Sequence, residues 1–328
     1  MTTNINVQIC GDHWVNYDEV LDRLNNADNT QNIVLDMNTE GASLYALGIA
    51  DVLLSICEQR HIDVKTVFID NWPNALEQIP FTRVYTPIVS HFFWLSENYW
   101  LQQIPASTHQ RRFGYFMGRK TPSRAVMMYQ LYQQYSSDFL FSAMQTRGPM
   151  PWQVGMPGKY LEQLDDWLPT DQHQSFANWW STDPVPSLDQ RQVSDQYDPA
   201  YNTNQSLLEH YSKFDIELVA ETYTLGTTFF PTEKTIRPIM AARPMLIYGP
   251  KNFLENLQQL GFKTYADFWD ESYDQYSGPE RWHKIQQVIN TFLSRPIQDQ
   301  LNTVNAMQAT ADYNRQHLVN LIKKYRPT

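Results

Sequence analysis

The chain of 328 residues is short of several things, and each shortage excludes a class of protein. It has two cysteines, Cys10 and Cys57, too few for a disulfide framework. Glycine occurs 12 times without a period, which excludes collagen-like material, and no Gly-rich phosphate loop, Gly-x-Ser-x-Gly elbow or Cys-x-x-Cys pair is present. Charged residues make up only 18%, so the chain is not a highly charged disordered segment. The net charge of −10 argues against a general nucleic-acid binder. No run approaches the ~20 apolar residues of a membrane span. The N-terminus MTTNINVQICGDHW lacks the basic and apolar regions of a signal peptide, and a cytoplasmic protein with no membrane span is expected. The eight histidines show no metal-ligand spacing with the cysteines, and there is no Asp-x-Asp motif, so no metal is expected.

What is present suits a large core. Hydrophobic residues reach 42% and aromatics 14%, and the length favours two domains. NIVLDM (32–37) reads as a buried strand, NTEGAS as a loop, and residues 43–60 as a helix with Leu44, Leu47, Ala50, Leu54 and Cys57 at helical spacing. VKTVFID (64–70) and stretches of 82–95 read as further strands. Strand, helix, strand is a βαβ unit, which builds parallel sheets with ligands at the strands' C-terminal ends. Residues 111–124 then carry five cations and no acid, ahead of a helix-like AVMMYQLYQQY. Residues 151–210 hold nine acids against Lys159 and Arg191 and have poor periodicity, which marks an irregular insertion with short helices. Its Trp152, Trp167, Trp179 and Trp180 point to packing. From 214 the α/β pattern returns: FDIELVAET a strand, TEKTIRPIMAA a helix, PMLIYG a strand, NFLENLQQLG a helix closed by Gly261, and FKTYADFW a strand into a turn. One or two amphipathic helices end the chain.

Chemistry concentrates in residues 229–249. Thr232 caps a helix whose first turn presents Glu233 and Lys234, and a helix N-terminus suits an anionic phosphate. Arg237 falls roughly on the same face, and Pro238 lies deep enough to kink the helix. A solvated Lys234 and Arg237, with Glu233 serving only the helix dipole, is the plain alternative. In GRKTPSR (118–124), Thr121 or Ser123 caps a second helix and Arg124 stands in its first turn, where a guanidinium suits phosphate oxygens. The turn DFWDESYD (267–274) carries four acids, able to reach sugar hydroxyls or simply solvated.

Residues 214–268 resemble the donor-binding region of the α1,3-fucosyltransferase family and its bacterial and phage relatives. The resemblance rests on Ala220-Glu221-Thr222, Phe230-Pro231-Thr232-Glu233-Lys234, Pro244 to Gly249 and the run from Phe262 to Phe268, with GRKTPSRAVMMY upstream. Thr222 stands where the family has Asn, and Phe230 where it has Tyr. The resemblance implies an α/β, GT-B-like fold of two Rossmann-like domains whose parallel sheets face a cleft. The acceptor-side domain is then 1–105, the nucleotide-sugar domain 106–296, and helices of 297–328 pack back on the first. It implies an inverting, metal-independent glycosyltransferase with a nucleotide-diphosphate sugar as co-substrate and no other cofactor. Glu233 and Lys234 are expected at the donor's ribose and pyrophosphate, Arg124 at the pyrophosphate, and Glu221, Thr222, Phe230 and Arg237 beside them. Lys234 is the catalytic cation, and inversion needs a general base from the first domain. Glu40, just after the first strand, has that placement; Asp36, Asp70 and Glu97 compete with it, and a turn role competes for Glu40 itself. The acceptor is a glycan, a lipid-linked sugar or a protein. The basic 111–124 segment and Lys323-Lys324-Tyr325-Arg326 also permit modified DNA as acceptor, and a non-catalytic nucleotide-sugar-binding module is a further alternative.

Overall fold

The structure, a computed structural model, describes residues 106–118, 121–143, 164–182, 209–222 and 229–325 with isolated positions between them. From the first 105 residues it describes six short strands, one helix, and the single positions Asn26, Ser55 and Gln59. Glu40, Asp70 and Glu97 therefore lie outside the described residues, as does most of the helix expected over 43–60.

In the first part, strands β1 (Thr2–Asn6), β4 (Asn32–Met37), β5 (Val64–Phe68) and β6 (Arg83–Val84) form a four-stranded sheet in the order β1-β4-β5-β6, every neighbour parallel. Strands β2 (Ile9–Cys10) and β3 (His13–Trp14) pair antiparallel, and helix α1 (Tyr17–Asn25) buries Val20 and Leu24, one turn apart. The expected strands at 32–37 and 64–70 are present. β1 was not foreseen, because TTNIN is polar apart from Ile5, which is fully buried.

The second sheet is also four-stranded and parallel, in the order β10-β9-β7-β8, with β7 Arg111–Met117, β8 Phe139–Ala143, β9 Phe214–Ala220 and β10 Met245–Tyr248. β9 is buried at every position, as a parallel strand covered on both faces must be. The arginines at the head of β7 conceal a strand where the sequence shows a run of cations: Phe113 to Met117 are buried. Gly114 is needed there, since a Cβ would stand 2.9 Å from the Phe214 ring of the neighbouring strand.

Helix α2 (Pro122–Tyr135) follows β7, and its Met127, Met128 and Leu131 enter the main core. Helix α3 (His173–Thr182), within the irregular 151–210 stretch, lies against α2. Phe176 and Trp179 both meet Tyr129 with centroids 5.4 Å apart, while Trp167 meets Tyr248 edge-on at 5.9 Å. Helix α4 (Glu233–Met240) follows β9 and runs on through Pro238 for two residues, because so late in a short helix the missing N–H removes a single i→i−4 bond. Helix α5 (Phe253–Gln259) ends with Gly261 at φ +91°, the left-handed closure expected of it.

One expectation about the C-terminal third is corrected. Residues 262–269 form turns, with no strand among them. The backbone of Lys263 bonds to one side chain instead of a neighbouring strand: its N–H donates to Asn314 Oδ1 and its carbonyl accepts from Asn314 Nδ2, both at 2.8 Å. After helix α6 (Gly278–Leu293), the tail is one helix of 29 residues, α7 (Ile297–Tyr325). Its buried stripe is Gln300, Val304, Met307, Ala311, Asn314 and Leu318, spaced four and three apart. Ile297, at the start of the helix, is 67% exposed. Gln300 and Asn314 are buried polar members of the stripe, satisfied by backbone groups, Gln300 donating to Leu293 O and Arg295 O. Hydrogen bonds from α7 reach Ala242, Leu260, Gly261 and Lys263 as well as Leu293, so α7 covers the second sheet's layer. Most of residues 1–105, the expected packing partner of this tail, lie outside the described residues.

Among the described residues, no helix is long and apolar enough to cross a membrane.

Candidate functional site

The order of the second sheet locates its crevice. From β7 the chain passes through α2 and adds β8 on one side; from β9 it passes through α4 and adds β10 on the other. The winding direction reverses between β7 and β9, and in open parallel sheets ligands bind at the C-terminal ends of strands where this happens. Two helix starts follow those ends: α2 after β7 and α4 after β9.

Residues from both starts meet on the two residues that follow β9. Arg124, third in α2 and 2% exposed, donates from Nη2 to the carbonyl of Glu221. Its own carbonyl accepts from Tyr115 Oη of β7 at 3.2 Å. Lys234, second in α4, donates from Nζ to Thr222 Oγ1 at 3.0 Å, to Thr232 Oγ1 at 3.4 Å and to Glu233 Oε1 at 2.5 Å. Thus two cations far apart in sequence close on one dipeptide, Glu221-Thr222, at the reversal point.

Glu221 occupies a different place from the one expected. It is fully buried, and its oxygens accept from Thr222 N–H at 3.1 Å, Thr232 N–H at 3.0 Å, Thr232 Oγ1 at 2.6 Å and Thr235 Oγ1. Four donors around two oxygens call for a side chain that only accepts, which is an ionised carboxylate. Glu221 is therefore the internal cap of α4, with both oxygens engaged by the protein. The other first-turn amides are also supplied: Lys234 N–H donates to Thr232 Oγ1 at 3.3 Å and Thr235 N–H to Thr232 O at 3.1 Å. The helix terminus expected to bind an anion already holds the chain's own acceptors, and the cationic side chains carry the charge the site presents.

Thr232 links the two groups. Its hydroxyl has one proton, given to Glu221, so its lone pairs face the N–H and ammonium of Lys234. Glu233, beside Lys234 and 36% exposed at the side chain, is pulled two ways. Burial pushes its carboxyl up, but the Lys234 ammonium and its own backbone N–H outweigh this and hold it at about 2.

Arg237 and Phe230 do not join this group. Arg237 turns into the core, donating from Nη2 to Glu217 and from Nε to Tyr211 Oη at 2.8 Å, with its guanidinium 5.4 Å from the Phe116 ring centroid. Burial alone would pull it down, yet Glu217 and Tyr211 hold it above its usual value and keep it charged. Phe230 is 3% exposed, a core residue with almost no surface for a ligand. The acidic turn 267–274 is structural too. Asp274 accepts from Leu254 N–H at 3.0 Å and pairs with the fully buried Arg281, Asp270 accepts from Ser272, and Glu271 accepts from Tyr265 N–H. Of the five cations in 111–124, Arg112 pairs with Asp215 at the opposite end of β7 from Arg124, and Arg119 and Lys120 lie outside the described residues, so the run is not one patch.

Sequence reasoning missed the Glu217–Arg237–Tyr211 network, although its signal was in view. Glu217 is an acid within FDIELVA, and a buried strand that carries an acid needs a partner brought to it.

No family model matches the chain, and neither does any curated protein. The site stands on its geometry. Among the described residues, no group of three or more His, Cys, Asp or Glu side chains is placed to hold a metal ion.

Proposed function

We propose that the chain is an inverting, metal-independent glycosyltransferase that moves a sugar from a nucleotide-diphosphate donor to a hydroxyl of a glycan, a lipid-linked sugar or a protein, in the cytoplasm. One observation carries this reading: Arg124 and Lys234 converge on Glu221-Thr222 at the winding reversal of a parallel sheet. The reading is of GT-B type, with residues 106–296 on the donor side and the first parallel sheet, within 1–105, on the acceptor side.

As the bond between sugar and pyrophosphate breaks, negative charge grows on the leaving group. Lys234 meets it with an ammonium already held in place by Thr222 and Thr232, so little reorganisation is needed when the charge appears. Arg124 fixes the carbonyl on which that arrangement rests and adds its own charge nearby. The acceptor hydroxyl attacks from the opposite face of the sugar and gives its proton to a carboxylate of the first domain. Glu40 is the proposed base.

The test is Lys234→Ala against Lys251→Ala, an exposed cation outside this cluster. Lys234→Ala is expected to lower kcat by ~10²–10³ with little change in melting temperature, since a cation in the first turn opposes the helix dipole. A variant that unfolds, or that turns over like Lys251→Ala, sinks the assignment. Donor binding by calorimetry in excess chelator tests the metal-free mechanism, and complete loss of binding there ends it. Slow release of nucleoside diphosphate without acceptor separates an enzyme from a non-catalytic binding module.

A further inference from the structure

The ammonium of Lys234 has three protons, and all three already have acceptors: Glu233 at 2.5 Å, Thr222 at 3.0 Å and Thr232 at 3.4 Å. An incoming anion must therefore take the place of one of them. From this geometry, and resting on the donor-site reading above, we infer that Glu233 is a built-in competitor for the anion site: its carboxylate neutralises Lys234 while the site is empty, and a pyrophosphate must displace it to bind.

The three acceptors differ in their freedom to leave. Thr232 is 2% exposed and its hydroxyl proton is bound to Glu221; Thr222 is 9% exposed and its N–H is bound to the same carboxylate. Both are parts of the cap of α4, and moving either one opens the first turn. Glu233 holds Lys234 from the outer side, with 36% of its side chain exposed, and within the cap it meets only its own N–H. It is also the only acceptor of the three that repels an arriving phosphate. Glu233 is ionised at any ordinary pH, so the exchange is anion for anion, and no proton enters the balance.

The arrangement sets a threshold. A singly charged small anion offers Lys234 no more than Glu233 does and has no reason to replace it. A pyrophosphate carries more charge and more oxygens, so it offers Lys234 more than Glu233 does, with the buried Arg124 guanidinium adding to the field from behind. Glu233 is thus a specificity-determining residue that selects for diphosphates over weaker anions. The substitution that tests this has an unusual sign, since removing an acid beside the anion site is expected to improve binding of the probe.

The experiment titrates the full chain with inorganic pyrophosphate and, separately, with a nucleoside diphosphate, using calorimetry on wild type, Glu233→Gln, Lys234→Ala and the double variant. Glu233→Gln keeps the size and hydrogen-bonding reach of the side chain, and thermal melts of each variant verify folding. The expected result is that Glu233→Gln binds inorganic pyrophosphate about tenfold more tightly than wild type, and that the gain disappears when Lys234 is also alanine. Equal or weaker binding by a folded Glu233→Gln overturns the inference. If wild type binds the nucleoside diphosphate through Lys234 and Glu233→Gln still shows no gain with pyrophosphate, the competitor role alone fails. If neither probe binds wild type or Glu233→Gln, the donor-site reading fails together with it.

Discussion

Strand β9 carries a buried acid at each end, and the two ends solve the same problem differently. At its N-terminal end Asp215, 1% exposed, accepts from Ser107 Oγ at 2.7 Å, lies 2.6 Å from His109 Nδ1, and pairs with Arg112 of β7. The charge is met by a cation from the neighbouring strand, and the cluster ties residues 107–112 to the sheet. Just past its C-terminal end Glu221 is met by the N–H and hydroxyl groups of Thr222, Thr232 and Thr235, all neutral. Because no cation is consumed in neutralising Glu221, Lys234 stays on the flank with a half-exposed partner. A buried acid paired directly with a base makes a joint, whereas a buried acid satisfied by neutral donors leaves the neighbouring cation to an outer, partly exposed partner.

The contrast breaks most heavily between the two ends, at Glu217. Glu217→Ala strands the guanidinium of Arg237, which cannot shed its charge, and is expected to cost about 3–5 kcal/mol in denaturant unfolding. Arg237→Met should cost less, because an abandoned Glu217 can take up a proton. Equal losses from the two variants contradict the buried-pair description.

A smaller pair of substitutions sharpens the comparison. Asp215→Asn and Glu221→Gln each turn an amide N–H₂ towards groups that donate, at about 1–3 kcal/mol apiece. Only Glu221→Gln is expected to weaken nucleoside diphosphate binding as well, because it frees the Thr232 hydroxyl to turn away from Lys234. Loss of affinity in Asp215→Asn, measured on folded protein, removes the distinction between the ends.

The smallest effect is in acid. Glu233 falls from 4.5 to about 2 on folding, so its ion pair contributes stability above about pH 4.5 and loses it as pH drops towards 2. Glu233→Gln should flatten that stretch of the stability curve, modestly, because the carboxylate is more than a third exposed. An unchanged acid limb in melts from pH 5 to 2.5 contradicts the shift.

Much of this molecule was legible from local pattern. The strands β4, β9 and β10, helix α4 with its Thr232 cap and the Gly261 closure of α5 all depend on residues close in sequence. What escaped depends on partners far away. β7 looked basic because Arg111 and Arg112 stand at its head, and only Asp215 on the next strand explains Arg112. Residues 262–269 looked like a strand until Asn314 supplied the hydrogen bonds. Lys234 and Arg124 could be placed in the first turns of their helices because helix starts announce themselves locally. That Glu221 caps α4 and that Arg237 pairs with Glu217 is decided by tertiary contacts, which no local pattern reveals.

The register of β7 against β9, with Arg111 opposite Phe214, has a consequence for how the chain folds. β7-α2-β8 and β9-α4-β10 are each built from short-range contacts, but the ladder that joins them closes a loop of roughly a hundred residues, a slow and entropically costly event. Arg124 belongs to the first half and Lys234 to the second. Each half can mature early and still possess only part of the site. The convergence of Arg124 and Lys234 on Glu221-Thr222 comes into existence at the moment the seam closes, so on the proposed donor-site reading a diphosphate would recognise only the finished sheet and, by mass action, hold the seam shut.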